Sequence, residues 1–518
     1  MNELENVWDL SHADDARPLA RCDSQADRKR TMPRPNIVLF MPDQLRADAL
    51  GCFGSPVALT PAFDALAARG VRCSDAWSQH SVCGPSRVSM MTGWYPHVSG
   101  HRTLDNLLKP WEPNLCSILR QAGYYVAIAG NRGDVFAPGV TEASSDFCGW
   151  LERPSPEDSR RRYAASLPQD HPLYRAMYFG SSGDEPLLDN DEATIRTAER
   201  WLAEGAPSDR PWALWVPLLF PHPPFTVEEP WFSMHDRAAM PDPIPVMDNG
   251  KPQFMAAYRK AYGWDDLTLD DVHEIMATYH GMVSRVDSQL ARLVAAVDSI
   301  GATDQTTVVA FTDHGEYLGD FGLVEKWPSG LDPCLLRNPL ILAGGGLPAG
   351  VAFDQPVELV DLLPTLCGLA EAPVRHTHFG KSLLPALNSR AAIHRLFACA
   401  EGGFRVTDKD LLEGGGWIYQ AKSDLQRDQP ALVGTAMVMR NATHTYVHRR
   451  YEGDELYDRL LDPRETENVI DRPESADIAS ALRDQLFGWL VDTTDIIPWE
   501  PDPRFPEVPH GWREDPSH

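Results

Sequence analysis

What the chain lacks narrows its function first. No apolar run approaches the roughly 18 residues of a membrane span. Basic residues are few: 47 Lys and Arg stand against 74 Asp and Glu, for a formal net charge of −27. That balance leaves no basic face for nucleic acid, so neither nucleic acid nor a membrane is an expected partner. Local Arg, Lys and metal charges can still reverse the field inside a cleft, which keeps anionic small molecules open as substrates. Cysteine is also thin. The 9 cysteines are scattered from Cys22 to Cys399. They are odd in number and without CxxC spacing, which argues against a disulfide scaffold or a structural zinc site. Residues 1–33 are polar, hold no apolar signal core, and read as an extension. With the scattered thiols, this leads to the expectation of a cytoplasmic protein. The sequence leaves its oligomeric state open.

The apolar runs that are present are short. NIVLFM (36–41), WALWVPLLF (212–220), TTVVAFT (306–312) and PLILAG (339–344) are nearly continuous, as in strands buried on both faces. Helical spacing appears in PAFDALAARG (61–70), with Gly70 as a stop signal, in SRVSMMTG from just after Pro85, in NLCSILRQAG (114–123), and over 271–301. The alternation predicts an α/β layered fold with a largely parallel sheet over residues 34–395. The stretch 150–270 is rich in Pro, Asp and aromatics. It reads as long insertions expected to line a pocket. From 396 to 518 the pattern changes. AMVMRNATHTYVHRR (436–450) reads as a hairpin and 474–493 as a helix. These predict a smaller α+β domain with an antiparallel sheet, followed by a Pro-rich tail.

In parallel α/β sheets, ligands sit beyond the carboxyl ends of the strands. Two of the predicted strands deliver polar pairs there, Asp43-Gln44 and Asp313-His314. Two carboxylates, an amide oxygen and an imidazole suit Ca²⁺, Mg²⁺ or Mn²⁺ better than zinc. Singly, an Asp after a strand is as readily a turn residue or a helix cap. The third element is CGPSR (83–87). It places Cys83 where a helix opens and an anion is welcome, with Arg87 as a fixed cation. A thiolate nucleophile is one alternative, although Ser89 stands where a phosphatase loop would want its arginine. A plain loop cysteine is another. HEIMA (273–277) ends in Ala277 and is no zinc-protease site. Asp287, on the long helix, reads as a packing or capping group.

CGPSR followed by MTGWYPH resembles the signature of the sulfatase family, in which the cysteine is oxidised to formylglycine. The resemblance extends through PNIVLFMPDQLRADALGCFG, FPHPPF (220–225), FTDHGEYLGDFGLVEK (311–326), ELVDLLPTL (358–366) and ELYDRLLDPRETENV (455–469), roughly residues 34–490. It implies an alkaline-phosphatase-like fold. It also implies one divalent metal ion, Ca²⁺ by default with Mn²⁺ or Mg²⁺ as alternatives, held by Asp43, Gln44, Asp313, His314 and the modified Cys83. A formylglycine-generating enzyme would read Cys83, Pro85 and Arg87 during maturation. The hydrated aldehyde would attack sulfur or phosphorus, with Arg87 beside it, and its second hydroxyl would let the adduct collapse. Lys326 would bind the transferred group, and His222 would protonate the leaving alcohol. Asn106 and Arg132 are the candidate contacts for the anionic oxygens of a small ester substrate. His97 and His101 read equally as structural.

Two departures from the pattern bear on substrate. Asp43-Gln44 stands where many sulfatases have Asp-Asp, and resembles choline sulfatases and phosphonate monoester hydrolases. Asn131-Arg132 follows YYVAIAG where a lysine and a nearby histidine are usual. The expected function is therefore a sulfuric ester hydrolase, with a phosphonate monoester or phosphodiester hydrolase as the alternative.

Overall fold

The computed structural model describes residues 34–130, 135–247, 249–389, 392–412 and 414–498. Strand geometry explains its layering. Successive side chains of a strand point to opposite faces. In Asn36–Met41, Val38 and Phe40 enter one apolar core, while Ile37, Leu39 and Met41 enter another. In Trp212–Pro217, Leu214 and Val216 join the first core, and Ala213 and Trp215 the second. Both faces are dry, so these strands show unbroken apolar runs in place of alternation.

Among the described residues the main sheet has nine strands. Its central order is Gly70–Trp77, Arg337–Gly344, Thr306–Ala310, Asn36–Met41, Trp212–Pro217 and Tyr125–Ala129. The pairing is parallel except at Arg337–Gly344, which runs antiparallel to both neighbours. Helices Pro61–Ala68 and Leu269–Ser299 cover one face, and Cys83–Thr92, Leu115–Gln121 and Leu362–Leu369 the other. This is the α/β layered fold with a largely parallel sheet that the apolar runs predicted. A second sheet of four antiparallel strands follows: Phe397–Gly402, Ala436–Asn441, His444–Arg449 and Glu455–Asp458. Helix Ala476–Thr493 joins it to the main body through an apolar cluster. There Trp489 meets Tyr95 edge-on, 4.8 Å between ring centroids.

Three local expectations change. Gly70 begins a strand and is not a cap; the preceding helix ends at Ala68. The signature helix opens at Cys83 itself, ahead of Pro85. Proline is tolerated there, because the first-turn N–H groups have no partner inside the helix. The stretch 150–270 is more than insertion. Besides the strand expected at 212–220, which pairs with Asn36–Met41, it supplies helix Asn190–Glu204.

Candidate active site

Register places the two acidic pairs. Phe40 and Ala310 are partners in adjacent parallel strands. Asp43 and Asp313 follow them at equal distance and emerge side by side at the carboxyl edge. Helix Cys83–Thr92, buried along its whole length, brings Cys83 to the same point. The ligand atoms of Asp43, Cys83, Asp313 and His314 all lie within 4.8 Å of one another, and all four residues are buried. Cys83 Sγ is 3.2 Å from His314 Nε2 and 3.5 Å from Asp43 Oδ1.

Arg87 sits one helical turn beyond Cys83 and bridges the two carboxylates. Its Nη2 lies 2.8 Å from Asp43 Oδ2 and 2.7 Å from Asp313 Oδ2, and its Nε donates to Asp313 Oδ2 at 2.8 Å. Asp313 Oδ1 accepts the backbone N–H groups of His314 (2.9 Å) and Gln44 (3.1 Å). His314 Nδ1 donates to the Gly315 carbonyl at 2.9 Å. That fixes the tautomer and leaves the Nε2 lone pair facing the cluster. Burial lowers the His314 pKa, which keeps the ring neutral. Oriented carboxylate oxygens with one neutral imidazole are a donor set that fits a hard divalent cation. Burial, reinforced by Asp43, pushes the Cys83 thiol well up, which does not favour the thiolate alternative.

Gln44 adopts a left-handed backbone, φ 66°, a strained conformation for a residue with a side chain. Its Oε1 accepts from Lys326 Nζ at 2.6 Å, while its Nε2 donates to Glu316. Lys326 Nζ also meets Glu325 Oε1 at 2.6 Å and His222 Nε2 at 3.0 Å. His222 Nδ1 donates to the Pro223 carbonyl at 2.7 Å, so Nε2 accepts from the lysine. Burial alone would raise Glu325, but the Lys326 and Lys422 ammonium groups outweigh it and hold the carboxyl at about 2. For Lys326, burial is outweighed by Cys83, Glu325 and Asp43, and the ammonium is held above its ordinary value.

Cys83, His222 and Lys326 line one cavity of about 290 Å³. The structure thus brings together every candidate except two. Asn106 is exposed in a turn, its Oδ1 accepting from Thr103 Oγ1 at 3.1 Å, and Leu104 lines the cavity in its stead. Arg132 lies outside the described residues. His97 is tied to Glu401 (2.6 Å), and His101 to the Asn106 carbonyl (2.5 Å) and Glu112 (3.0 Å). Asp287 caps helix Pro61–Ala68, accepting the Ala62 and Phe63 N–H groups at 3.0 and 2.9 Å. Tyr419 and Lys422, unmarked by any motif, also line the cavity. Among the described residues of 150–270, only His222 does so, so those residues do not make this wall.

The family model for sulfatases matches residues 35–372. The chain belongs to the sulfatase family. This sulfatase-family chain is 26% identical to the multifunctional alkaline phosphatase superfamily protein PehA of Trinickia caryophylli, over 90% of the chain and 96% of that protein. It is 25% identical to the choline-sulfatase of Rhizobium meliloti, over 86% and 84%. Its fold resembles the phosphonate monoester hydrolase of Agrobacterium radiobacter, with TM-score 0.71 and 23% identity over 89% of this chain and 96% of that one. Among the described residues no helix is long and apolar enough to cross a membrane.

Proposed function

We propose that the protein hydrolyses small sulfate esters, with Cys83 converted to formylglycine as its nucleophile. The observation that carries this reading is the buried cluster of Asp43, Cys83, Asp313 and His314, bridged by Arg87, in a cavity walled by Lys326 and His222. The hydrated aldehyde would supply two hydroxyls on one carbon, one to attack and one to let the adduct collapse, and a divalent cation would supply the charge that acidifies them. Asp43, Asp313 and His314, with Gln44 beside them, would hold that cation, and Ca²⁺, Mn²⁺ and Mg²⁺ all match the donors. Arg87 keeps both carboxylates oriented. Lys326 donates to an oxygen of the transferred group. The Lys326–His222 pair carries the proton that the departing alcohol takes. Maturation requires a formylglycine-generating enzyme that reads Cys83, Pro85 and Arg87. All eight cysteines of the described residues are free thiols, which supports a reducing cytoplasm.

A second reading has its own support. The Asp43-Gln44 pair, and Asn131-Arg132 where a lysine and a nearby histidine are usual, favour a phosphonate monoester or phosphodiester hydrolase using the same groups. The deciding experiment carries one aryl alcohol as a sulfate monoester, a phosphate diester and a phosphonate monoester. It compares kcat/KM on protein whose Cys83 conversion has been verified by peptide mass. The sulfate is expected to be fastest; faster phosphorus esters replace the first reading with the second. Unchanged turnover in Cys83→Ala removes both.

A further inference from the structure

One wall of the cavity comes from far along the chain and belongs to no motif. The segment Trp417–Asp428 is pinned to the main body at several points. Tyr262 Oη donates to the Ile418 carbonyl at 2.8 Å and accepts the Lys422 N–H at 3.3 Å. Trp417 packs edge-on against Tyr163 and Phe179, with ring centroids at 5.8 and 5.5 Å. Lys422 Nζ donates to Glu325 Oε2 at 2.7 Å. These ties hold Tyr419 against the reaction centre. Its ring lies 6.4 Å from that of His222, and it lines the same space as Cys83 and Lys326.

The Tyr419 hydroxyl oxygen is buried and meets no hydrogen-bond partner among the described residues. Buried hydroxyls are costly unless paired. On a cavity wall, an oxygen-rich substrate would supply the acceptor. Burial, then Glu325 and Cys83, push this phenol well up, so it keeps its proton and can donate. The carboxylates that bear on it are Glu325 and Asp43, and its place on the cavity wall with Cys83 and Lys326 puts it near the transferred group.

We propose that Tyr419 is a substrate-contacting residue whose phenol O–H donates a hydrogen bond to a non-bridging oxygen of the sulfuryl or phosphoryl group held above Cys83. The inference rests on reading the site as an ester hydrolase. A non-bridging oxygen carries negative charge in the ester and in the released anion alike. The contact therefore acts mainly on binding, raising KM when lost and changing kcat less.

The test uses the full chain with verified Cys83 conversion. Tyr419→Phe is compared with wild type for kcat and KM on the best aryl ester, and for calorimetric binding of inorganic sulfate and inorganic phosphate. The Phe variant should unfold at the wild-type temperature. It should lose about 10- to 100-fold in kcat/KM, chiefly through KM, and bind the anions more weakly by a similar factor. Values within about twofold of wild type overturn the proposal, and so does a fall in kcat with anion binding unchanged. A loss confined to Tyr419→Leu assigns the ring alone and overturns the hydroxyl contact. Calorimetry reads the contact whether or not an ester turns over. A wild type that binds the anions but hydrolyses none of the esters therefore sinks the hydrolase reading and not this one.

Discussion

Arg87 shows how much of the site rests on single atoms. Its guanidinium bridges carboxylates that follow two different strands. Lysine cannot span both with a planar fork. Arg87→Lys is expected to lower kcat/KM by about 100-fold and to loosen metal retention, checked by steady-state kinetics beside elemental analysis. Turnover unchanged by the swap would remove the bridge from the mechanism. The donor set carries its own prediction. Stripping metal with a chelator should abolish turnover, and Ca²⁺, Mn²⁺ or Mg²⁺ should restore it; full activity in metal-free protein would refute the cation role of Asp43, Asp313 and His314. These groups were readable in sequence because each stands directly after an apolar run or inside a short local motif. Tyr419 and Lys422 were not, because nothing in the residues around them marks proximity to Cys83.

At the scale of elements, packing and capping decide where the site residues point. Gly315 follows His314, and a Cβ there would stand 2.0 Å from the Cys334 carbonyl oxygen. The loop carrying the second acidic pair can close only with glycine at that position. The long helix Leu269–Ser299 starts in a capping box of Thr268 and Asp271 and lends Asp287 to another helix. Asp287→Ala leaves the Ala62 and Phe63 N–H groups without that acceptor. It should cost about 1–2 kcal/mol of unfolding free energy while kcat stays at the wild-type value. Denaturant titration beside kinetics checks the split; a large loss of kcat in a stable variant would move Asp287 into the active site. Helix and strand types along the main body were readable from apolar period. The opening of the signature helix was not, because Pro85 is as compatible with the first turn as with the loop before it.

For the molecule as a whole, buried neutral histidines contribute to the response to acid. Burial holds His280 at about 3 and His376 at about 4, against an ordinary 6.5. An unfolded chain takes up both protons near pH 6.5, whereas the folded chain does so only near pH 4 and below. Across that window the unfolded state binds more protons, so stability rises with pH and falls on acidification. The slope is up to about 1.4 kcal/mol per pH unit for each histidine. Denaturant midpoints measured from pH 6.5 to 4 should fall steadily, and His376→Gln should remove its share of the slope. An unchanged slope in that variant would assign the acid response to other groups.

By itself the sequence determined the layered α/β order, the acidic pairs and the signature around Cys83. These are local patterns, fixed by strand period, helix capping and residue chemistry within a few positions. Tertiary structure decided what those patterns meet. The register of Phe40 with Ala310 sets Asp43 beside Asp313. The antiparallel course of Arg337–Gly344 follows from pairing across the sheet. The arrival of Tyr419 at the cavity follows from the contacts of Trp417 and Tyr262 with distant residues. Each of these is a contact between residues far apart in the chain, set by packing of whole layers, and no neighbouring residue encodes it.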